Sequence, residues 1–153
     1  MKTVVLASGK LREKYAKLGT ELYAKRLASM TPFEIIEVSE GKGADADQTA
    51  ERLLSRVRGD DRVVLMAEDG EQYASERLAS FLNSVQKGGR GRIVFVIGGP
   101  YGVGEQMRRR ADHVMSLGKM TLPHELARVV LVEQLYRATT ITRGGSYHHG
   151  GQS

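Results

Sequence analysis

Three groups of residues in the C-terminal third of the chain have types and spacings that can do chemistry. The run Ile97-Gly98-Gly99-Pro100-Tyr101-Gly102 ends one apolar stretch, and Ser116-Leu117-Gly118-Lys119-Met120-Thr121-Leu122 ends another. Loops placed after strands and before helices offer backbone N–H and C=O groups to a small molecule. The third group is Gly144-Gly145-Ser146-Tyr147-His148-His149, where a phenol able to stack on a base stands beside an imidazole able to donate to or accept from its polar edge. Upstream, Glu133 and Arg137 are four residues apart, the spacing of an intrahelical ion pair, and Arg137 can equally meet a phosphate.

The first loop is not a phosphate cradle. No three glycines stand at GxGxxG spacing, and although Gly99 and Gly104 match the start of a P-loop, Glu105-Gln106 replaces its Lys-Ser/Thr. Glu105 also puts negative charge at the start of the following helix, where a bound phosphate would sit. A nucleoside without phosphates meets no such objection, and neither does a plain Gly-rich link. Adjacent histidines rarely converge on one ion, and with no Cys and no carboxylate cluster beside them a metal site is not expected.

Alternating apolar runs and helical periods must position these groups. Val4–Ala7, Phe33–Val38, Val63–Ala67, Ile93–Ile97 and Val114–Leu117 read as strands, and Ile93–Ile97, the most continuously apolar, suits a central parallel strand. Leu11, Tyr15, Leu18 and Leu22 stand at helical spacing opposite Lys10, Arg12, Lys14, Lys17, Lys25 and Arg26, a basic face that suits either solvent or RNA. Gly41-Lys42-Gly43 reads as a loop before a helix opened by Asp47, with Ala50, Leu53, Leu54 and Val57 as its buried stripe. After an Asp69-Gly70 turn, Ser75 caps a helix burying Leu78, Phe81, Leu82 and Val85, which Gly88-Gly89-Arg90-Gly91 ends. Thr121 and Pro123 open the last helix, where His124 can bind RNA or, the favoured reading, help cap the first turn. Its centre, Val129-Val130-Leu131-Val132, is apolar on more sides than one core covers, which suits either burial or a second subunit. The whole predicts one α/β domain with a mainly parallel sheet flanked by helices, of flavodoxin-like order on periodicity alone.

Composition agrees with a compact domain of 153 residues. The net charge of +5 favours a polyanionic partner, and the absence of Cys fits a reducing compartment. Thr3–Ala7 is too short an apolar stretch for a signal peptide or membrane span, so a cytoplasmic protein is expected.

With the helix Val129–Ala138, these motifs resemble the RlmH family of the SPOUT superfamily over the whole chain, most specifically between Ile97 and His149. The resemblance implies a C-terminal trefoil knot, a homodimer, and methylation of N3 of a pseudouridine in 23S ribosomal RNA, within the ribosome. It implies an S-adenosylmethionine pocket made of Met66, Gly98, Gly99 and Leu117, Gly118, Lys119, Met120, Thr121 and Leu122, with Gly118 where family members often have Ser. A side chain at Gly99 is expected to fill the ligand's space. By resemblance Tyr147 and His148 lie beside the transferred methyl and, with Arg137, meet the RNA.

Attack by N3 requires alignment and loss of its proton. An imidazole such as His148 is the natural acceptor. Glu133 is the second candidate, although an ion pair with Arg137 lowers its basicity, and water is the third. Two rival functions stand beside this one: a flavodoxin-like nucleotide or flavin binder, and a noncatalytic ribosome-assembly factor.

Overall fold

The computed structural model describes residues 1–41, 45–89, 91–100 and 102–150. Among these, strands β1 (Lys2–Ser8), β2 (Phe33–Val38), β3 (Arg62–Gln72), β4 (Arg92–Ile97) and β5 (His113–Ser116) alternate with helices α1 (Lys14–Ala28), α2 (Ala46–Leu54), α3 (Ser75–Lys87), α4 (Gly104–Arg110) and α5 (His124–Thr142). A 3-10 turn, Tyr147–His149, follows.

All strand pairs are parallel, in the order β2-β1-β4-β3-β5. Every residue of β4 is buried, so its uninterrupted apolar run occupies the middle of the sheet with helices on both faces. A flavodoxin-like sheet would run 2-1-3-4-5. Here β4 separates β1 from β3, so that expectation from periodicity is corrected.

The twofold alternation of side chains along each strand divides the core. Val5 and Ala7 of β1 join Leu27 of α1, Leu78 and Leu82 of α3, and Leu131 and Leu135 of α5. On the other face, Val4 and Leu6 meet Ala50 and Leu53 of α2 and Met107 of α4. Near the start of β4 a buried pair ties the layers together, Arg92 Nε and Nη2 donating to Asp61 at 3.0 and 2.8 Å. Burial pushes the Asp61 carboxyl up, but the bonds from Arg92 and from the Arg58 backbone N–H outweigh it and hold the pKa below the usual value.

Several local expectations are corrected. Tyr15, Leu18 and Leu22 of α1 are 51%, 57% and 44% exposed, while Ala16, Thr20 and Leu27 form the buried stripe. Small residues win this face because α1 packs closely on α5: a Cβ at Gly19 would lie 3.0 Å from Val129 Cγ1. Helix α2 is opened by Asp45, not Asp47, through a capping box with Gln48. Ser75 and His124 are first helical residues rather than caps, and neither α3 nor α5 has a side-chain cap. The expected Asp69-Gly70 turn is strand, for β3 runs on to Gln72. Gly70 permits this because a Cβ there would fall 2.7 Å from the Met115 backbone nitrogen. Lys42 and Gly43 of the expected loop, Arg90, Tyr101 and residues 151–153 lie outside the described residues.

Candidate active site

Where β4 and β5 end, beside the middle of β3, a cavity of about 510 Å³ opens, near the C-terminal ends of parallel strands where such sheets receive ligands. Its walls include Met66, Ile97, Val103, Leu117, Leu122 and Ala127, and Gly98, Gly99, Gly102, Gly104 and Gly118 bring backbone to its surface. Of the pocket residues expected from sequence, Met66, Gly98, Gly99, Leu117, Gly118, Met120 and Leu122 line this cavity. Lys119 and Thr121 are exposed on the same loop and do not line it.

Each loop is held by its own short contacts. Gly102 N–H donates to Gly99 C=O at 3.2 Å. In the second loop the Ser116 hydroxyl accepts from Gly118 N–H at 3.1 Å and donates to Gly118 C=O at 2.9 Å. Gly118 turns that loop at φ +140°, a conformation L side chains rarely adopt. A Cβ at Gly99 would meet Glu40 Oε1, the free end of a side chain, so a larger residue there must also displace the protein's own carboxylate.

Charge in the cavity is uneven. Glu68, Glu105 and Arg108 all line it, but Arg108 Nη2 pairs with Asp69 at 2.8 Å. That bond holds the Asp69 carboxyl below its ordinary pKa. The remaining carboxylates suit a ligand with cationic groups and oppose a phosphate.

Tyr147, His148, Glu133 and Arg137 come together at the other end of α5. Glu133 Oε2 accepts from Tyr147 Oη at 2.7 Å and from Arg137 Nη2 at 2.8 Å, and the Arg137 guanidinium lies 4.7 Å from the Tyr147 ring centroid. Burial, then the bond to Glu133, raises the Tyr147 pKa far above that of a free phenol. Arg137 Nη1 lies 3.1 Å from His148 Nδ1 and can only donate, so Nδ1 accepts and Nε2–H points to Glu76 Oε1 at 2.7 Å. None of these four residues lines the cavity. Ala127 does, and Arg137 is about 15 Å further along the helix axis.

Sequence reasoning passed over Glu76, whose carboxyl is held below its usual pKa by the His148 bond. It also passed over Arg128, which is 3% exposed and donates to Glu37 Oε2 at 2.5 Å and to Gly9 C=O at 2.9 Å. A signal for Arg128 existed: it shares a helix face with Leu131 and Leu135, and a charge facing the core needs a partner. Glu76 had no such signal, because its contact depends on where the tail lands.

A family model described as "Predicted SPOUT methyltransferase" matches residues 1–148. The chain is 42% identical to the ribosomal RNA large subunit methyltransferase H of Lactococcus lactis subsp. cremoris (strain SK11), over 97% of this chain and 99% of that protein. With the protein of the same name from Latilactobacillus sakei subsp. sakei (strain 23K) it shares 40% identity at the same coverage. A probable methylase family protein from Haemophilus influenzae Rd KW20 has a similar fold, with a TM-score of 0.55 at 13% identity, covering 99% of this chain and 70% of that one.

Proposed function

We propose that this chain, which belongs to the SPOUT methyltransferase family, transfers a methyl group from S-adenosylmethionine to N3 of a pseudouridine in 23S ribosomal RNA. The observation that carries the reading is the cavity between the two strand-end loops. It is apolar in its walls, rich in accessible backbone and acidic rather than basic in its unpaired charge, as a sulfonium nucleoside requires and a nucleotide phosphate does not. When bound, S-adenosylmethionine supplies a methyl on a positively charged sulfur that an in-line nucleophile can displace.

The chain's own residues divide the remaining work. The loops at Gly98–Gly104 and Leu117–Leu122 orient the donor and exclude water. Tyr147 stacks on the target base, Arg137 meets RNA phosphate, and His148 takes the N3 proton. Because Arg137 occupies the Nδ1 lone pair, a phosphate that draws Arg137 away also frees that nitrogen to accept a proton.

The separation of tail and cavity along α5 favours a homodimer in which one subunit's tail serves its neighbour's cavity. Tyr15, Leu18 and Leu22 form the exposed apolar face for that contact, beside α5. The trefoil knot is the further expectation that membership of this family brings. Among the described residues no helix is long and apolar enough to cross a membrane, and we place the protein with ribosomes in the cytoplasm.

Labelled S-adenosylmethionine offered with ribosomes lacking the modification tests the reading. Label on N3 of a 23S pseudouridine is expected. RNA binding with no transfer would instead favour a noncatalytic assembly factor.

A further inference from the structure

We infer that a second basin, at the C-terminal ends of β1 and β2, is the subsite for the phosphodiester of the RNA nucleotide presented to the donor cavity; this rests on the methyl-transfer reading above. The basin has a volume of about 1050 Å³, ample for a nucleotide. Only a loop separates it from the donor cavity: Gly99 lines the cavity and Pro100 the basin. A nucleotide held here by its phosphate has its base within reach of that shared wall.

The charge of the basin is sorted by position. Lys10, Arg12 and Lys17 line it, and among the described residues none has a carboxylate within ion-pair distance. The acids are placed differently. Glu37 is bound by the buried Arg128. Glu125 Oε1 accepts from the backbone N–H groups of Arg12 and Glu13 at 2.7 and 3.0 Å, so its charge is committed to the turn that enters α1. Glu40 stands against Gly9 and Gly99, at the wall facing the donor. Anions are therefore repelled at the wall and attracted beside α1, which orients a nucleotide with its phosphate away from the methyl group.

An independent observation comes from Ser8, which lines the basin. It is 2% exposed, and its hydroxyl has no hydrogen-bond partner among the described residues. A buried hydroxyl left unpaired costs stability unless something else satisfies it. Arg128 holds the carbonyls of Ser8 and Gly9 and so fixes the loop that presents this hydroxyl and Lys10. The hydroxyl is enclosed in the free protein, so it meets a phosphate oxygen when binding shifts the turn that carries Ser8 and Lys10.

Lys10→Glu, Lys17→Glu and Ser8→Ala test the subsite, with Lys87→Glu, on the exposed end of α3, as a control for net charge. Affinity for a pseudouridine-containing ribosomal RNA fragment is measured across a salt series, beside calorimetry with S-adenosylmethionine. Each lysine reversal should weaken RNA binding at least tenfold at low salt and flatten the salt slope by about one. Affinity for S-adenosylmethionine should stay within twofold, and Lys87→Glu should bind RNA like the wild type. Ser8→Ala should melt no lower than the wild type yet bind RNA several-fold more weakly, a combination that a merely structural hydroxyl does not produce. Lysine reversals that bind RNA like the control overturn the subsite alone, whereas a wild-type protein that transfers no methyl to RNA overturns the reading beneath it.

Discussion

Tyr147 and Arg137 share one oxygen of Glu133, the phenol donating at 2.7 Å and the guanidinium at 2.8 Å, so this carboxylate joins the tail to α5 beside the contact of Arg137 with His148 Nδ1 at 3.1 Å. Losing the phenol proton there would set two negative charges face to face in a partly buried place, which agrees with the raised pKa of Tyr147. The phenol therefore keeps its proton, and with it the bond to Glu133, well above the pH at which a free phenol ionises.

The first prediction concerns that anchor. Truncation after Gly145 should leave S-adenosylmethionine affinity within twofold while single-turnover methyl transfer collapses. Tyr147→Phe should lose about 1.5 to 3 kcal/mol of tail anchoring, the worth of a hydrogen bond to a charged group. In a spectrophotometric titration of the wild type, Tyr147 should still be a phenol at the pH where a free phenol has ionised. A wild-type transfer rate in the truncated protein would remove the tail from the chemistry.

Acid stability should depend on Asp61 and Glu125. Burial raises the Asp61 pKa, but the Arg92 bond leads the lowering that prevails; for Glu125 the largest cause is the bond from the Glu13 backbone N–H, which lowers it. A carboxyl with a lower pKa folded than unfolded stabilises the fold fully above its unfolded value, near about 4, and loses that contribution as pH falls through the folded one. Asp61→Asn should therefore cost about 3 to 5 kcal/mol at pH 7 by stranding Arg92. The gap from wild type should narrow below about pH 4 in a series of thermal melts.

At Gly99 the collision with Glu40 makes a compensating pair. Gly99→Ala should weaken S-adenosylmethionine binding roughly tenfold, within the usual cost of overpacking. Adding Glu40→Ala should recover most of the loss. Calorimetry on the single and double variants checks this, and no recovery would mean that the methyl group obstructs the ligand itself.

Sedimentation tests the apolar face of α1. Leu18→Glu with Leu22→Glu should shift the protein to a monomer without lowering its helix content, because both side chains are already exposed within one chain. Methyl transfer should fall with the dimer, and an active monomer would contradict shared sites.

The alternation of apolar runs and helical periods made the strands and helices legible, and the unbroken run Ile93–Ile97 marked the centre of the sheet before its neighbours were known. Strand order was not legible, since no local pattern records that β4 lies between β1 and β3. On α1 the large apolar residues predicted the wrong face: close packing on α5 favoured Ala16 and Thr20, and bulk at Tyr15, Leu18 and Leu22 was left outside. The cavity loops could be read because glycines and strand ends are local features. Contacts such as His148 with Glu76 or Arg128 with Glu37 join residues distant in sequence, so their chemistry was visible only after folding.

The most direct measurement is mass spectrometry of 23S ribosomal RNA from cells with and without this gene. Deletion should abolish N3 methylation at one pseudouridine, and restoring the full-length protein, but not the form truncated after Gly145, should return it. Methylation that persists unchanged in the deletion, with no other 23S nucleotide losing a methyl group, would contradict the account.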